Sequence, residues 1–131
     1  MDAPERKQDN RLTRARRLPA ALYPAVFDNG QSFPGRYMVL CLGPASGLPH
    51  AQLGITTSRR TLNSAVLRNR ARRMMREAFR TQQQRVQDGA RLILVARRRI
   101  VEDGSLENVS HDFRILCKRA KIFVGDADER E

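Results

Sequence analysis

Hydrophobic residues recur at helical spacing in two stretches of this chain. In the first, residues 64–80, they form one stripe: Leu67, Ala71, Met74, Met75, Ala78 and Phe79. In the second, which begins at Ser105, they form a similar stripe: Leu106, Val109, Phe113, Leu116, Cys117 and Ala120. Asn63 or Ser64 caps the first stretch, Ser105 caps the second, and residues 82–87 extend the first weakly. The pattern predicts two amphipathic helices, each with one face on a core.

Three other stretches have the β-branched and aromatic content of strands: residues 36–42, 53–58 and 91–96. Ser32 and Phe33 indicate a still earlier strand. Residues 91–96 are nearly all apolar, so we expect that strand to be buried on both faces. The strand at 53–58 is expected to lie antiparallel to the strand at 36–42, across the turn-rich residues 43–50. The strand, helix, strand order around residues 64–80 implies a parallel pair.

A short helix is predicted before the strands, because Leu22, Tyr23, Val26 and Phe27 form an apolar patch. Pro24 is tolerated there only in the first helical turn. The element order is therefore αβββαβα. It predicts an α+β fold, a two-layer sandwich in which two long helices pack on one mixed sheet.

Length and cysteine usage limit the organisation of the chain. Its 131 residues suffice for one domain, which we place at residues 18–124, between a basic and largely disordered arm at 1–17 and an acidic tail at 125–131. Cys41 and Cys117 are too few for a disulfide framework or a zinc site. The chain has no apolar run of membrane-spanning length and no secretory h-region, so we expect a cytoplasmic protein without membrane association.

Positive charge changes the picture of the first helix. The side opposite its apolar stripe carries Arg68, Asn69, Arg72, Arg73, Arg76 and Arg80, with Arg70 at the margin. We call these seven residues the arginine face. Glu77 is the single carboxylate in the run, whereas ordinary solvated helix faces mix charges of both signs. Since the net charge is +11 and 22 of the 25 basic residues are arginine, the face is expected to bind a polyanion through bidentate phosphate contacts.

No catalytic centre or metal site is predicted. His50 and His111 have no carboxylate or cysteine at ligand spacing beyond the adjacent Asp112, and the carboxylates concentrate at the chain ends. The first predicted helix, which we call the arginine helix, is not preceded by the helix and tight turn of a helix-turn-helix motif. Binding of duplex DNA is therefore disfavoured. Four further side chains have two alternative roles, stacking on an unpaired nucleic-acid strand or packing in the core: Tyr23, Phe27, Tyr37 and Val39.

The arginine helix also carries a family motif. This motif resembles one in the protein subunit of bacterial ribonuclease P. It consists of Arg68-Asn69-Arg70, then Arg72-Arg73, then Arg76-Glu77-Ala78-Phe79-Arg80. That family's hallmark is an RNR box followed by a basic pair and an R-E-x-F-R ending, and each position matches. The resemblance runs from about Arg17 to Ile122. It takes in Val26-Phe27 with Gly30, the strand from Tyr37, residues 53–60 and residues 89–97 in the family's order.

The resemblance implies a protein cofactor in an assembly whose large RNA is the catalyst. That assembly removes the 5′ leader of precursor tRNA, with Mg²⁺ held mainly by RNA, no obligate protein partner and no catalysis by the protein alone. Contacts with the catalytic RNA are implied for Arg59, Arg60, Arg68, Asn69, Arg70, Arg72, Arg73 and Arg76. A leader-binding cleft on the sheet face is implied for Tyr23, Phe27, Val39 and Cys41. The family fold also has a left-handed βαβ crossover, in place of the usual right-handed one.

The chain departs from the family pattern in three places. Tyr23-Pro24 replaces an acidic-Phe pair, Cys41 replaces a common aromatic, and residues 61–64 replace a shorter, glycine-containing loop. Two alternatives to the ribonuclease P role stay open on the residues alone. One is a generic structured-RNA-binding protein of the ribosomal or RNA-chaperone type, and the other is a DNA-binding regulator.

Overall fold

The computed structural model describes residues 14–124. Its strands are β1 (Gln31–Pro34), β2 (Met38–Leu42), β3 (Gln52–Thr56) and β4 (Arg91–Ala96). Its α-helices are α1 (Tyr23–Asp28), α2 (Ala65–Arg80), α3 (Arg99–Glu102) and α4 (Leu106–Arg119). Single 3₁₀ turns form at Arg14–Arg16, Ala20–Leu22 and Gln83–Arg85. The αβββαβα order is confirmed, with the one-turn helix α3 added after β4.

The four strands form one mixed sheet in the order β1-β2-β4-β3. β1 and β2 are antiparallel, β2 and β4 are antiparallel, and β3 runs parallel to β4 with Ile55 opposite Leu94. The parallel pair around the arginine helix is confirmed, whereas the handedness of its crossover stays a prediction. β3 runs antiparallel to β2, as predicted, but the two strands do not pair, because β4 lies between them. As the most apolar strand, β4 is stabilised by a paired strand on each edge and by cover on both faces.

One face of the sheet packs against α2 and α4. From the sheet, Met38 and Leu40 on β2 and Leu92 and Leu94 on β4 are fully buried on this side. The stripes of the two helices meet them, and the Phe79 and Phe113 rings contact each other edge to face, with centroids 6.2 Å apart. Both predicted amphipathic helices are therefore confirmed, although Leu106, placed in the α4 stripe, is 47% exposed.

The short helix α1 covers part of the opposite face of the sheet. Its Val26 is buried in a second, smaller cluster with Leu18, Cys41 and Ile93. The helix approaches closely because Gly43 lies beneath Val26, where a Cβ atom would come within 2.7 Å of the valine Cγ2. Pro24 stands in the first turn, as predicted. The sheet is thus covered by helices on both sides, but only partly on the α1 side.

Capping residues fix where the long helices begin. The Ser64 hydroxyl accepts a hydrogen bond from the Leu67 N–H at 3.3 Å, and the Ser105 hydroxyl accepts one from the Asn108 N–H at 3.1 Å. The predicted weak extension of α2 over residues 82–87 is wrong, since α2 ends at Arg80 and only a 3₁₀ turn follows. Residues 81–87 have no continuous apolar stripe to hold them on the core as a helix.

The outer edge of β3 is covered by the segment that precedes α1. The Leu18 N–H donates to the Leu53 carbonyl at 2.8 Å, and Arg17 forms a parallel bridge with Leu53. Further along the edge, the Ile55 N–H donates to the Tyr23 hydroxyl at 3.2 Å. These contacts block pairing of the edge with another strand. Residues 14–17, which the sequence assigns to the basic arm, are thus part of the fold, whereas the predictions for residues 1–13 and 125–131 lie outside the described residues.

A buried carboxylate holds the turn between β1 and β2. Asp112 on α4 is 7% exposed, and its two oxygens accept the Arg36 N–H at 3.1 Å and the Tyr37 N–H at 2.9 Å. The Tyr37 side chain is buried on the α4 side of the sheet. Of its two predicted roles, core packing is therefore the one observed. Among residues 14–124 no helix is long and apolar enough to cross a membrane.

Candidate nucleic-acid interface

The arginine face lies on the solvent side of α2 because the apolar stripe fixes the rotation of the helix. Ala71, Met75 and Phe79 are fully buried against the sheet and α4. Arg70, Arg73 and Arg76 consequently point to solvent, as does Asn69. One helix therefore carries the core contacts on one side and a surface of concentrated positive charge on the other.

Glu77 neutralises only the last arginine of this face. Its carboxylate accepts hydrogen bonds from Arg80 Nε at 2.8 Å and from Arg80 Nη2 at 2.9 Å. The hydrogen bond from Arg80, together with the charges of Arg80 and Arg76, lowers the pKa of Glu77 below its ordinary value. The carboxylate is already engaged by Arg80, so among residues 14–124 the other arginines of the face form no ion pair with an acidic side chain.

Two arginines of the face hold the loop that precedes α2. Arg68 Nη1 donates to the Leu62 carbonyl at 2.9 Å, and Arg72 Nη2 donates to the Thr57 hydroxyl at 3.0 Å. Each guanidinium retains further N–H donors for a ligand. In contrast, Arg70, Arg73 and Arg76 make no hydrogen bond or ion pair to other residues within 14–124. Their guanidinium N–H donors are therefore free of other partners within the described chain, although the charge of Arg76 also acts on nearby Glu77.

Arg59 and Arg60 extend the positive surface beyond the helix. Both are exposed in the loop between β3 and α2. The loop is stabilised by Ser58, whose hydroxyl accepts the Thr61 N–H at 3.1 Å. The predicted RNA-binding residues therefore occupy one continuous segment of chain, from this loop to the end of α2.

A groove of about 340 Å³ runs along the outer edge of β3, between α2 and the segment before α1. We call it the edge groove. Arg72 and Arg76 line it from α2, and Arg17 lines it from the opposite side. The remaining lining residues are less polar: Leu18, Tyr23, Leu53 and Ile55. Arginines facing one another across a partly apolar channel suit a single nucleic-acid strand, whose phosphates and bases need both kinds of contact.

The four predicted leader-contacting residues lie on the α1 side of the sheet. The rings of Tyr23 and Phe27 contact each other edge to face, with centroids 6.5 Å apart. Phe27 is 45% exposed and Val39 is half-buried, so both present apolar surface. Cys41 is only 8% exposed and packs beneath α1. It supports this surface from below, and burial raises the pKa of its thiol.

Sequence reasoning missed Arg17 as part of the groove and assigned it instead to the arm. It also gave no role to Arg97 and Arg98, which follow β4 and are exposed. Because β3 and β4 are parallel, the residues after each strand meet at the same edge of the sheet. The predicted parallel pair was the feature from which this proximity could have been found.

Two features of residues 14–124 bear on protein-based catalysis. Within residues 14–124, no three His, Cys, Asp or Glu side chains lie close enough to hold a metal ion. Cys117 is fully buried, and burial raises the pKa of its thiol far above the ordinary value. A buried, protonated thiol is a poor nucleophile.

The fold and the arginine face define a small, basic α+β protein with positive charge concentrated on one side of a helix. A family model described as Ribonuclease P matches residues 8–121. The chain belongs to this family, the protein subunits of bacterial ribonuclease P. Its role is accordingly that of the protein component of this endoribonuclease in the processing of tRNA 5′ ends.

Individual relatives agree with the family assignment. The ribonuclease P protein component of Pseudomonas paraeruginosa is 36% identical over 107 residues, which cover 79% of this chain and 76% of the relative. That of Staphylococcus carnosus is 32% identical over 101 residues, covering 77% and 85% of the two chains.

Solved structures agree as well. The ribonuclease P protein of Staphylococcus aureus superimposes with a TM-score of 0.72 at 25% identity, covering 84% of this chain and 99% of that one. The Thermotoga maritima protein gives 0.69 at 25% identity, with 79% and 96% covered. The predicted family and fold class are thus confirmed.

Proposed function

We propose that the arginine face and the preceding loop bind the catalytic RNA of ribonuclease P. The contacting residues are those identified from the sequence: Arg59, Arg60, Arg68, Asn69, Arg70, Arg72, Arg73 and Arg76. The observation that carries this proposal is the set of exposed arginines on one side of α2 that lack acidic partners within the described chain. Such a surface gains free energy when its arginines replace the cations condensed on the phosphates of an RNA.

We further propose that the edge groove and the adjacent aromatic pair bind the 5′ leader of precursor tRNA. The guanidinium groups of Arg17, Arg72 and Arg76 would contact leader phosphates, while the exposed ring of Phe27 would stack on an unpaired base. Tyr23 connects the edge groove with the aromatic pair, since it lines the groove and contacts Phe27. Cys41 contributes through packing beneath α1.

This arrangement supports catalysis by RNA without a reacting group on the protein. Precursor tRNA and the catalytic RNA are both polyanions, so their association is opposed by phosphate repulsion. Positive charge placed between them lowers this repulsion and reduces the Mg²⁺ concentration needed for substrate binding. We propose that Mg²⁺ is held mainly by RNA, because the described side chains supply no cluster of oxygen ligands. A cytoplasmic location and the lack of an obligate protein partner complete the proposal.

The test is cleavage of precursor tRNA by a bacterial ribonuclease P RNA at low Mg²⁺, with and without this protein. We expect the protein to restore cleavage, and we expect no cleavage by the protein alone. Precursor tRNA is then compared with mature tRNA, which lacks a leader. If the protein restores cleavage but strengthens the binding of both tRNAs equally, the leader contact is refuted and the binding of the catalytic RNA is not. Tight RNA binding without rescue would favour a generic structured-RNA-binding protein.

A further inference from the structure

A second cavity lies at the carboxyl ends of the parallel strands β3 and β4, apart from the edge groove. It has a volume of about 330 Å³ and lies between the loop before α2 and the helix α3. We call it the loop pocket. Its lining includes Arg60, Asn63, Leu67, Arg98, Val101 and Glu102. In open sheets, crevices outside the carboxyl ends of parallel strands are preferred ligand sites.

The walls of the loop pocket are held in place by hydrogen bonds and packing within the protein. On one side, the Ser58 hydroxyl donates to the Thr61 hydroxyl at 3.1 Å, and the Leu62 carbonyl accepts from Arg68. On the other side, fully buried Ile100 anchors α3 in the main core, and Val101 packs against the same core. A site whose walls are already ordered loses little conformational entropy when a ligand binds.

The side chains of the loop pocket match the parts of one nucleotide. Leu67 and Val101 are half-buried and offer apolar surface to the face of a base. Arg60 and Arg98 are exposed and have no ion-pair partner within residues 14–124, so both guanidinium groups can contact a phosphate. The volume is near the lower end of ligand sites, about 300 to 1,000 Å³. It suits a single base better than a longer segment.

Glu102 adds a preference among bases. Its carboxylate is exposed and makes no ion pair with Arg98, although the two residues are one helical turn apart. A carboxylate accepts hydrogen bonds, so it favours bases with an exocyclic amino donor, which adenine, cytosine and guanine all carry. Uracil has no amino group.

We propose that the loop pocket binds one unpaired nucleotide of the catalytic RNA whose base carries an amino group, which is adenine, cytosine or guanine. The base lies on Leu67 and Val101, its amino group donates to Glu102, and the phosphate contacts Arg60 and Arg98. Bases of an RNA duplex cannot reach such a pocket, whereas bulged and looped bases can. This inference rests on the proposed function, because the nucleotide belongs to the RNA that binds the arginine face.

Site-directed cross-linking tests the proposal. Asn63→Cys places a thiol at the rim for an azidophenacyl photolabel, while Cys41 and Cys117 are buried and leave the wild-type protein as an unlabelled control. Asp88→Cys, before the opposite end of β4, controls for position. We expect cross-links from Asn63→Cys at one or two unpaired adenines, cytosines or guanines of the ribonuclease P RNA. Cross-links spread over base-paired nucleotides would overturn the proposal.

Affinity measurements with matched variants test the chemistry. Arg98→Ala should weaken binding of the ribonuclease P RNA about tenfold, whereas Arg97→Ala, which removes the same charge next to the pocket, should weaken it less than threefold. Equal losses would overturn the proposal.

Changing the cross-linked nucleotide to uridine should weaken wild-type binding but not binding by Glu102→Ala. If the protein restores cleavage but its cross-links are dispersed, the loop-pocket proposal is refuted and the proposed function is not. If the protein fails to restore cleavage, the proposed function is refuted.

Discussion

The ring of Tyr23 lies directly over Gly54, so that a Cβ atom added to Gly54 would come within 2.6 Å of the Tyr23 hydroxyl oxygen. The same hydroxyl accepts the Ile55 N–H from the outer edge of β3. Through this one contact α1, the sheet edge and the edge groove are fixed relative to one another. The glycine is needed because no other residue leaves room for the ring.

Gly54→Ala should therefore displace Tyr23 and distort the edge groove. We expect a loss of stability of about 1 to 3 kcal/mol from overpacking. We also expect a smaller difference between the affinities of the holoenzyme for precursor tRNA and for mature tRNA. Gly47→Ala is the matched control, since a Cβ atom at Gly47 would meet no atom within 4 Å. Unchanged discrimination between the two tRNAs by Gly54→Ala would separate Tyr23 from leader binding.

Much of the fold could be predicted because its periodic signals are local. The stripe on α2 and the caps at Ser64 and Ser105 depend on residues within a few turns of one another, and each matches the structure. The neighbour of β3 could not be predicted in the same way. Adjacent strands in the chain usually pair, and the loop of residues 43–50 gives no indication that β4 is inserted between β2 and β3.

The site was predictable to a similar extent. The arginine face follows from the rotation that the apolar stripe imposes on α2. Arg17 was missed because its place in the edge groove depends on the bridge to Leu53, a contact between distant parts of the chain. Asp112 was missed for a related reason, since its two backbone partners lie 75 and 76 residues away in sequence. Long-range polar contacts leave no periodic pattern.

Removal of one arginine from the arginine face should alter the salt dependence of RNA binding. For Arg73→Ala we expect the slope of log affinity against log salt to fall by about 0.7 to 0.9, the contribution of one phosphate contact. Arg114→Ala removes an equal charge from α4, outside the arginine face, and should change the slope much less. The measurement is a set of binding isotherms at several salt concentrations. An identical change for both variants would indicate that only net charge matters.

Removal of a core side chain from the same helix should have the opposite effect. Met75 is fully buried, so Met75→Ala should lower the free energy of unfolding by about 2 to 5 kcal/mol. RNA affinity at a temperature where the variant remains folded should change little, because the arginine face is intact. Thermal melting and RNA-binding curves on the same samples check both effects. Loss of RNA affinity without loss of stability would contradict the assignment of faces on α2.

The Glu77–Arg80 pair should contribute a pH-dependent term to stability. Because the folded pKa of Glu77 is lowered, this term is present above the unfolded pKa, near 4.5, and is lost as pH falls through the folded pKa. The Arg80 and Glu77 side chains are 34% and 35% exposed, so solvent screens the pair and the effect should be small. Urea unfolding of wild type and Glu77→Gln checks this. Their stability difference should shrink as the medium is acidified, and a constant difference would show that the charge of Glu77 is not involved.

The buried carboxylate of Asp112 should matter far more than the exposed carboxylates near it. Asp112→Ala leaves the Arg36 and Tyr37 N–H groups without their acceptors, so we expect a loss of about 2 to 3 kcal/mol in the free energy of unfolding. Asp103→Ala is the control, because Asp103 forms only half-exposed ion pairs with Arg36 and Arg99 and should cost less than about 1 kcal/mol. Chemical denaturation of both variants gives the two values. Because Asp112 is remote from the arginine face, the salt dependence of RNA binding should be unchanged in the folded variant. Equal destabilisation by the two substitutions would mean that the turn between β1 and β2 does not depend on Asp112.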